Sequence, residues 1–152
     1  MESLALLLLP SSVGFLSGYL TRNSIRDEWY SNLKKPSWQP PGSLISGVWI
    51  VLYLLMGVTL QRIGRSPGNG KALVAFGVQL ALNFSWSLIF FRGQRPDLAL
   101  VNIVALAVSI VVMMYYIRQL DPVAANLQIP YLLWVLFATT LNANIVSLNP
   151  RS

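Results

Sequence analysis

The sequence predicts an all-α protein: an integral membrane bundle of five transmembrane helices, forming a single domain over residues 1–152. Three observations lead there. Of the 152 residues 55% are hydrophobic and only 11% are charged, whereas an ordinary soluble domain carries about 25% charged residues. Hydrophobic runs recur at 4–20, 44–60, 72–91, 98–117 and 123–148, each reaching or approaching the ~20 residues that cross a bilayer core. The connections hold the breakers: Pro36, Pro40 and Pro41, then Pro67-Gly68-Asn69-Gly70, then Gly93 and Pro96, then Pro122.

The first run follows only Met1-Glu2-Ser3. That start lacks the positive flank of a secretory signal, and no small-x-small cleavage site follows, so a retained helix is expected. Next comes a connection at about 21–43, whose core from Trp29 to Pro41 reads W-Y-x-x-L-x-K-P-x-W-x-P-P. Prolines this dense do not fit a lipid-facing helix, and a solvated linker has no use for two tryptophans. A rigid, amphipathic loop at the membrane surface is expected, the lid or rim of something.

On the second helix Trp49 and Tyr53 stand one turn apart. The third carries two stripes. At about 100° per residue, Gly77, Ala81 and Ser85 share one face, while Gln79, Asn83, Trp86 and Phe90 cluster on the opposite one. Small residues so spaced let membrane helices approach closely. They suit either another helix of the same chain or a homodimer seam. On the fifth helix Tyr131, Trp134, Ala138, Leu141, Asn142, Ile145 and Asn149 fall in one sector. Aromatics with a few placed amides describe a ligand cavity, although such residues also serve as packing glue between membrane helices.

The charges bound the function. Cysteine and histidine are absent, which excludes thiolate nucleophiles, disulfides, Cys/His zinc sites and His- or Cys-ligated haem. No metal and no cofactor are expected. The eleven basic and five acidic residues sit in loops or at helix ends, so no intramembrane charge marks a proton relay, and proton-coupled export is disfavoured. Basic residues are scattered, unlike a nucleic-acid module. No internal repeat suggests an inverted-repeat transporter. Arg22, Arg26, Lys34, Lys35, Arg92, Arg95 and Arg151 fall on the side of the first loop and C-terminus, against Arg62, Arg65, Lys71 and Arg118 on the other. That excess orients the C-terminus toward the cytoplasm. Leu16-x-x-Tyr19-x-x-Arg22 and Val112-x-x-Tyr115-x-x-Arg118 fit the permissive sterol pattern, but an aromatic beside a basic residue at a helix end is the ordinary interfacial anchor.

The loop block at 29–41, V-W at 48–49, Q-L-x-L-N-x-x-W-x-x-x-F-F at 79–91 and P-Y-x-x-W-x-x-F-A-x-x-L-N at 130–142 resemble the translocator proteins. These are also called tryptophan-rich sensory proteins or peripheral-type benzodiazepine receptors, the TspO/MBR family. The match runs in order over nearly the whole chain. The resemblance implies a five-helix bundle, commonly a homodimer, in a bacterial envelope membrane or the mitochondrial outer membrane. Its cavity is closed by the first loop. It implies a receptor or translocator that binds porphyrins such as protoporphyrin IX, cholesterol in animal members, and synthetic drugs. Family ligand contacts map to Ile45, Val48, Trp49, Asn83, Trp86, Ala138 and Leu141, with Trp134 also in the cavity. In bacterial members, Trp at the positions of Trp49 and Trp134 is tied to light-dependent porphyrin breakdown, so these two are the catalytic candidates if the protein is a photochemical enzyme.

Two departures stand out. A family cavity position often held by Trp falls at Leu98, and the animal sterol motif meets Ala143 and Ser147 instead of its Tyr and Arg. A planar tetrapyrrole is the expected ligand, with a light-dependent porphyrin-degrading enzyme and a sterol or lipid transporter as alternatives. Trp49, Trp86 and Trp134 would supply stacking area, Asn83 and Asn142 would orient polar edges, and Lys35 or Arg26 would meet a porphyrin carboxylate.

Overall fold

A computed structural model describes residues 2–150 of the chain. Helix α1 spans Glu2–Ile25, the short α2 Glu28–Asn32, and α3 Gly42–Gly64. α4 spans Gly70–Ser87 and is continued by one π-helical turn, Leu88–Arg92. α5 spans Pro96–Leu120, and the last crossing is made of α6 (Pro122–Asn126) and α7 (Ile129–Leu148). Five stretches are long and apolar enough to cross a bilayer. Arg151, one of the residues used for the orientation, lies outside the described residues.

Three elements differ from the sequence reading. The first crossing is longer than the expected 4–20 and runs to Ile25, because the polar Thr21, Arg22 and Asn23 extend it into the interface. The fifth crossing is not one helix. Pro130 has no N–H to give Asn126 and would crowd that carbonyl, so the chain breaks at Leu127–Gln128 and restarts with Pro130 in the first turn of α7. The third ends in a π turn, a widening that brings Phe90 and Phe91 together, their ring centroids 4.8 Å apart.

Helix ends are tied by side chains. Asp121 Oδ1 accepts from the Val123 and Ala124 N–H groups at 3.1 and 3.2 Å, capping α6. The same carboxylate accepts from Arg62 Nε at 2.7 Å, joining the end of α3 to the start of α6. The guanidinium and the two N–H groups hold the Asp121 carboxyl below its ordinary pKa.

α1 packs on α3 and α4, α4 on α5, α5 on α7 and α6, and α6 returns to α3, which closes a ring. The crossing of α1 with α3 is tightest far from the first loop, where a Cβ at Gly57 would run into the Leu7 backbone carbonyl. There Met56, Ile63, Met113 and Ile117 are fully buried. Outward residues such as Val74, Val101 and Val108 are exposed and face the lipid, as apolar side chains on a membrane helix do. The small stripe also faces outward. Gly77 and Ala81 are exposed, and a Cβ at Gly77 would meet nothing within 4 Å, so this face does not pack another helix of the chain.

Candidate functional site

The halves of α1, α3, α4 and α7 nearest the first loop enclose a cavity of about 910 Å³. That lies within the ~300–1,000 Å³ of small-molecule sites. Its floor is a chain of buried hydrogen bonds. The Tyr53 hydroxyl donates to Asn83 Oδ1 at 2.6 Å, Asn83 Nδ2 donates to the Tyr131 hydroxyl at 2.8 Å, and Tyr131 donates to Gln79 Oε1 at 2.7 Å. Both polar atoms of the Asn83 amide and the Gln79 carbonyl oxygen are paired in this way, while the Gln79 Nε2 is buried without a partner among the described residues. One aromatic stands on this floor, Trp49, stacked on Tyr53 at 5.6 Å and edge-on to Tyr131 at 6.3 Å.

The walls are aromatic. Trp86 lies 5.1 Å from Phe90 and 6.0 Å from Phe91, so the π turn of α4 gathers three rings on one side. Its indole Nε1 donates to Asn142 Oδ1 at 2.9 Å, and Asn142 Nδ2 donates to the Pro96 carbonyl at 2.9 Å. Across the cavity Trp134 leans on Phe137 at 5.3 Å. Its own Nε1 is buried without a hydrogen-bond partner among the described residues, as is Gln39 Oε1 on the loop side.

The first loop covers the end of the cavity. α2 sets Trp29 against Phe90 and Tyr30 against Phe91, at 6.2 and 5.3 Å, and Trp38 reaches Phe137 at 5.7 Å. Asn149 clasps the loop from the end of α7: its Oδ1 accepts from the Lys34 N–H at 3.0 Å and its Nδ2 donates to the Lys34 carbonyl at 2.8 Å. The prolines then explain themselves as rigid spacers in a loop that must hold a fixed shape.

Of the residues singled out from the sequence, Ile45, Trp49, Asn83, Trp86, Trp134, Ala138, Leu141 and Asn142 line the cavity together. Val48 does not. One residue from Trp49 on a helix, it points about 100° away and lines a shallow outer groove with Leu44, Val51 and Leu133; Trp134 separates the two spaces. Leu98 is exposed and lies off the cavity, where α5 contributes Ile103 and Leu106 instead. Gln79 and Tyr131 serve the floor from beneath.

Lys35 and Arg26 are not among the lining residues. The Lys35 ammonium donates to the Tyr30 and Leu33 carbonyls at 2.6 and 3.2 Å and sits 4.2 Å from the Tyr30 ring centroid. Desolvation there lowers its pKa. Helix α1 supplies a whole wall that sequence reasoning did not assign: Ser11, Gly14, Gly18, Thr21 and Arg22. Its signal was present, small or hydroxyl residues at spacings of three and four.

Comparison with known proteins gives the same family. The sequence model of the TspO/MBR family matches residues 6–148. A tryptophan-rich sensory protein from Cereibacter sphaeroides is 38% identical over 123 residues, covering 81% of this chain and 78% of that protein. A tryptophan-rich protein TspO from Archaeoglobus fulgidus is 34% identical over 151 residues, 98% of this chain and 97% of its own. A translocator protein from Sus scrofa is 39% identical over 145 residues, 89% and 82% of the two chains.

Proposed function

This chain belongs to the TspO/MBR family of integral membrane proteins, and on that footing we propose that its cavity binds planar tetrapyrroles, protoporphyrin IX first among them, in tetrapyrrole handling or a stress response. The observation that carries the reading is one cavity of about 910 Å³ with three tryptophans in its walls and a hydrogen-bonded amide–tyrosine floor. Broad apolar rings suit a flat macrocycle. Titration of the purified protein with protoporphyrin IX in darkness, followed by tryptophan quenching, is expected to saturate near micromolar, where binding is worth ~8 kcal/mol. A linear, unsaturable response would remove the tetrapyrrole site.

A photochemical reading is favoured by one specific feature, the placement of both Trp49 and Trp134 on the cavity wall. Under light, an excited porphyrin would pass its energy to dioxygen or take an electron from a nearby indole, and the macrocycle would be degraded. Trp49→Phe and Trp134→Phe are then expected to abolish light-dependent loss of porphyrin absorbance while keeping most of the affinity in the dark. Parallel loss of binding and breakdown would assign both residues to binding alone.

The exposed Gly77 and Ala81 with Ser85 on α4 support a homodimer through this face. A lipid or sterol translocator, the third reading, draws support from the cavity's opening on the lipid flank between α1 and α3. It predicts flux across liposomes beyond what binding explains.

A further inference from the structure

The cavity carries one charge. Among the described residues that line it, Arg22 in the last turn of α1 is the sole charged side chain. Its Nη1 donates to the Tyr19 carbonyl at 2.7 Å, and its Cζ lies 3.8 Å from the centroid of the Tyr19 ring. A guanidinium offers five N–H donors in a planar fork. Tyr19 takes one of them and holds the plane of the rest, and the ion pairs of the described residues, Arg62–Asp121 and Arg95–Asp97, leave Arg22 without a carboxylate. The ammonium of Lys35 is committed to loop carbonyls.

Arg22 also stands where the cavity opens. α1 and α3 touch at Leu7–Gly57 and again where Gly14 meets the Tyr53 ring. From there to the first loop the cavity reaches between them, edged by Phe15 of α1 and Ile50 of α3, 78% and 61% exposed. A molecule dissolved in the bilayer lies with its apolar body at the depth of Phe15 and Ile50 and its charged end at the surface. Arg22 is at that end. An ordinary interfacial anchor needs an arginine beside a tyrosine at a helix end, but it has no reason to distinguish one cavity ligand from another.

We propose that Arg22 is the specificity-determining residue of this cavity, pairing with a carboxylate, so that the ligand class is a flat apolar body bearing a carboxylate held at the first-loop end. The proposal rests on the tetrapyrrole reading for its first probe, though not for its chemistry. A forked guanidinium–carboxylate contact is the strong form of such a pair.

The test compares protoporphyrin IX with its dimethyl ester, in darkness, on the full-length protein in nanodiscs. Wild type is expected to bind the free acid about tenfold more tightly, the ratio that a charge-assisted hydrogen bond supports. Arg22→Gln is expected to erase that ratio by weakening the acid alone, and Arg22→Lys, which keeps the charge without the fork, to fall between. Equal weakening of acid and ester by Arg22→Gln would make the residue merely structural and overturn the proposal, as would a wild type indifferent to esterification. Failure of both porphyrins to bind would sink the tetrapyrrole reading instead. In that case 1-pyrenebutyric acid and its methyl ester, read by energy transfer from tryptophan, decide: an acid preference lost in Arg22→Gln sustains the carboxylate site, and no preference in either pair overturns it.

Discussion

The half of the bundle far from the first loop and the half beside it are built from the same helices and do opposite things. In the far half the contact positions carry Gly57, Ala72, Ala75, Ala124 and Ala125, all buried, with Met and Ile filling between them. Near the loop the corresponding positions carry Trp49, Trp86, Phe90 and Trp134, and a cavity lies among them. Lipid tails are as apolar as leucine, so burial alone does not pull membrane helices together; close packing and hydrogen bonds do. Small residues therefore decide where the helices meet, and large rings hold them apart. The difference teaches that cavity and closure follow side-chain size along each helix.

Two glycines put this to the largest test. A methyl group at Gly57 would collide with the Leu7 carbonyl, whereas one at Gly18 would meet nothing within 4 Å. Backbone cannot step aside as a flexible side chain does. Gly57→Ala is expected to cost about 1–3 kcal/mol or more, as overpacking does, and Gly18→Ala to be neutral or to gain up to about 1 kcal/mol from helix propensity. Thermal unfolding of the two variants in one detergent measures this. Equal shifts would mean that closure of the far half does not depend on the α1–α3 crossing.

How much of this was legible depends on which helix is read. The five crossings and their breakers were, because hydrophobic length and proline act locally. The inner face of α7 was too: Trp134, Ala138, Leu141 and Asn142 keep helical spacing and all reach the cavity. Periodicity tells which residues share a face, however, and not what the face meets. Asn149 continues the α7 stripe yet holds the loop, and Val48 neighbours Trp49 yet looks outward. The π turn depends on how α4 packs against α5 and the loop, which no local signal announces. The wall from α1 was overlooked because small residues look like packing until a space appears beside them.

The floor between the two halves offers the next effect in size. The Tyr131 hydroxyl is bonded to both Asn83 and Gln79, and the residue is buried on the closed side. Tyr131→Phe strands two amide groups at once and is expected to cost about 1–3 kcal/mol. Tyr53→Phe also frees Asn83 Oδ1, but Asn83 faces the cavity, so that oxygen stays within reach of a ligand or solvent. Its cost in stability should be the smaller, with the change read instead in ligand affinity. If Tyr53→Phe proves the more damaging, the network belongs to the cavity half and the boundary drawn here is misplaced.

The smallest expected effect on stability is at the rim. Asn149 ties Lys34 through two hydrogen bonds to backbone atoms, and both residues are close to the surface. Asn149→Ala should therefore cost only about 1 kcal/mol, the net worth of ordinary hydrogen bonds. Its signature should be kinetic. With the clasp gone the loop opens more often, so porphyrin dissociation in the dark, followed by stopped-flow fluorescence, is expected to quicken several-fold while unfolding barely moves. An unchanged rate would show that the Trp29–Phe90 and Tyr30–Phe91 contacts hold the loop by themselves. That outcome would carry the rule of the cavity half one step further: there rings would hold the cover on, just as they hold the walls apart, and the amide clasp would only set its register.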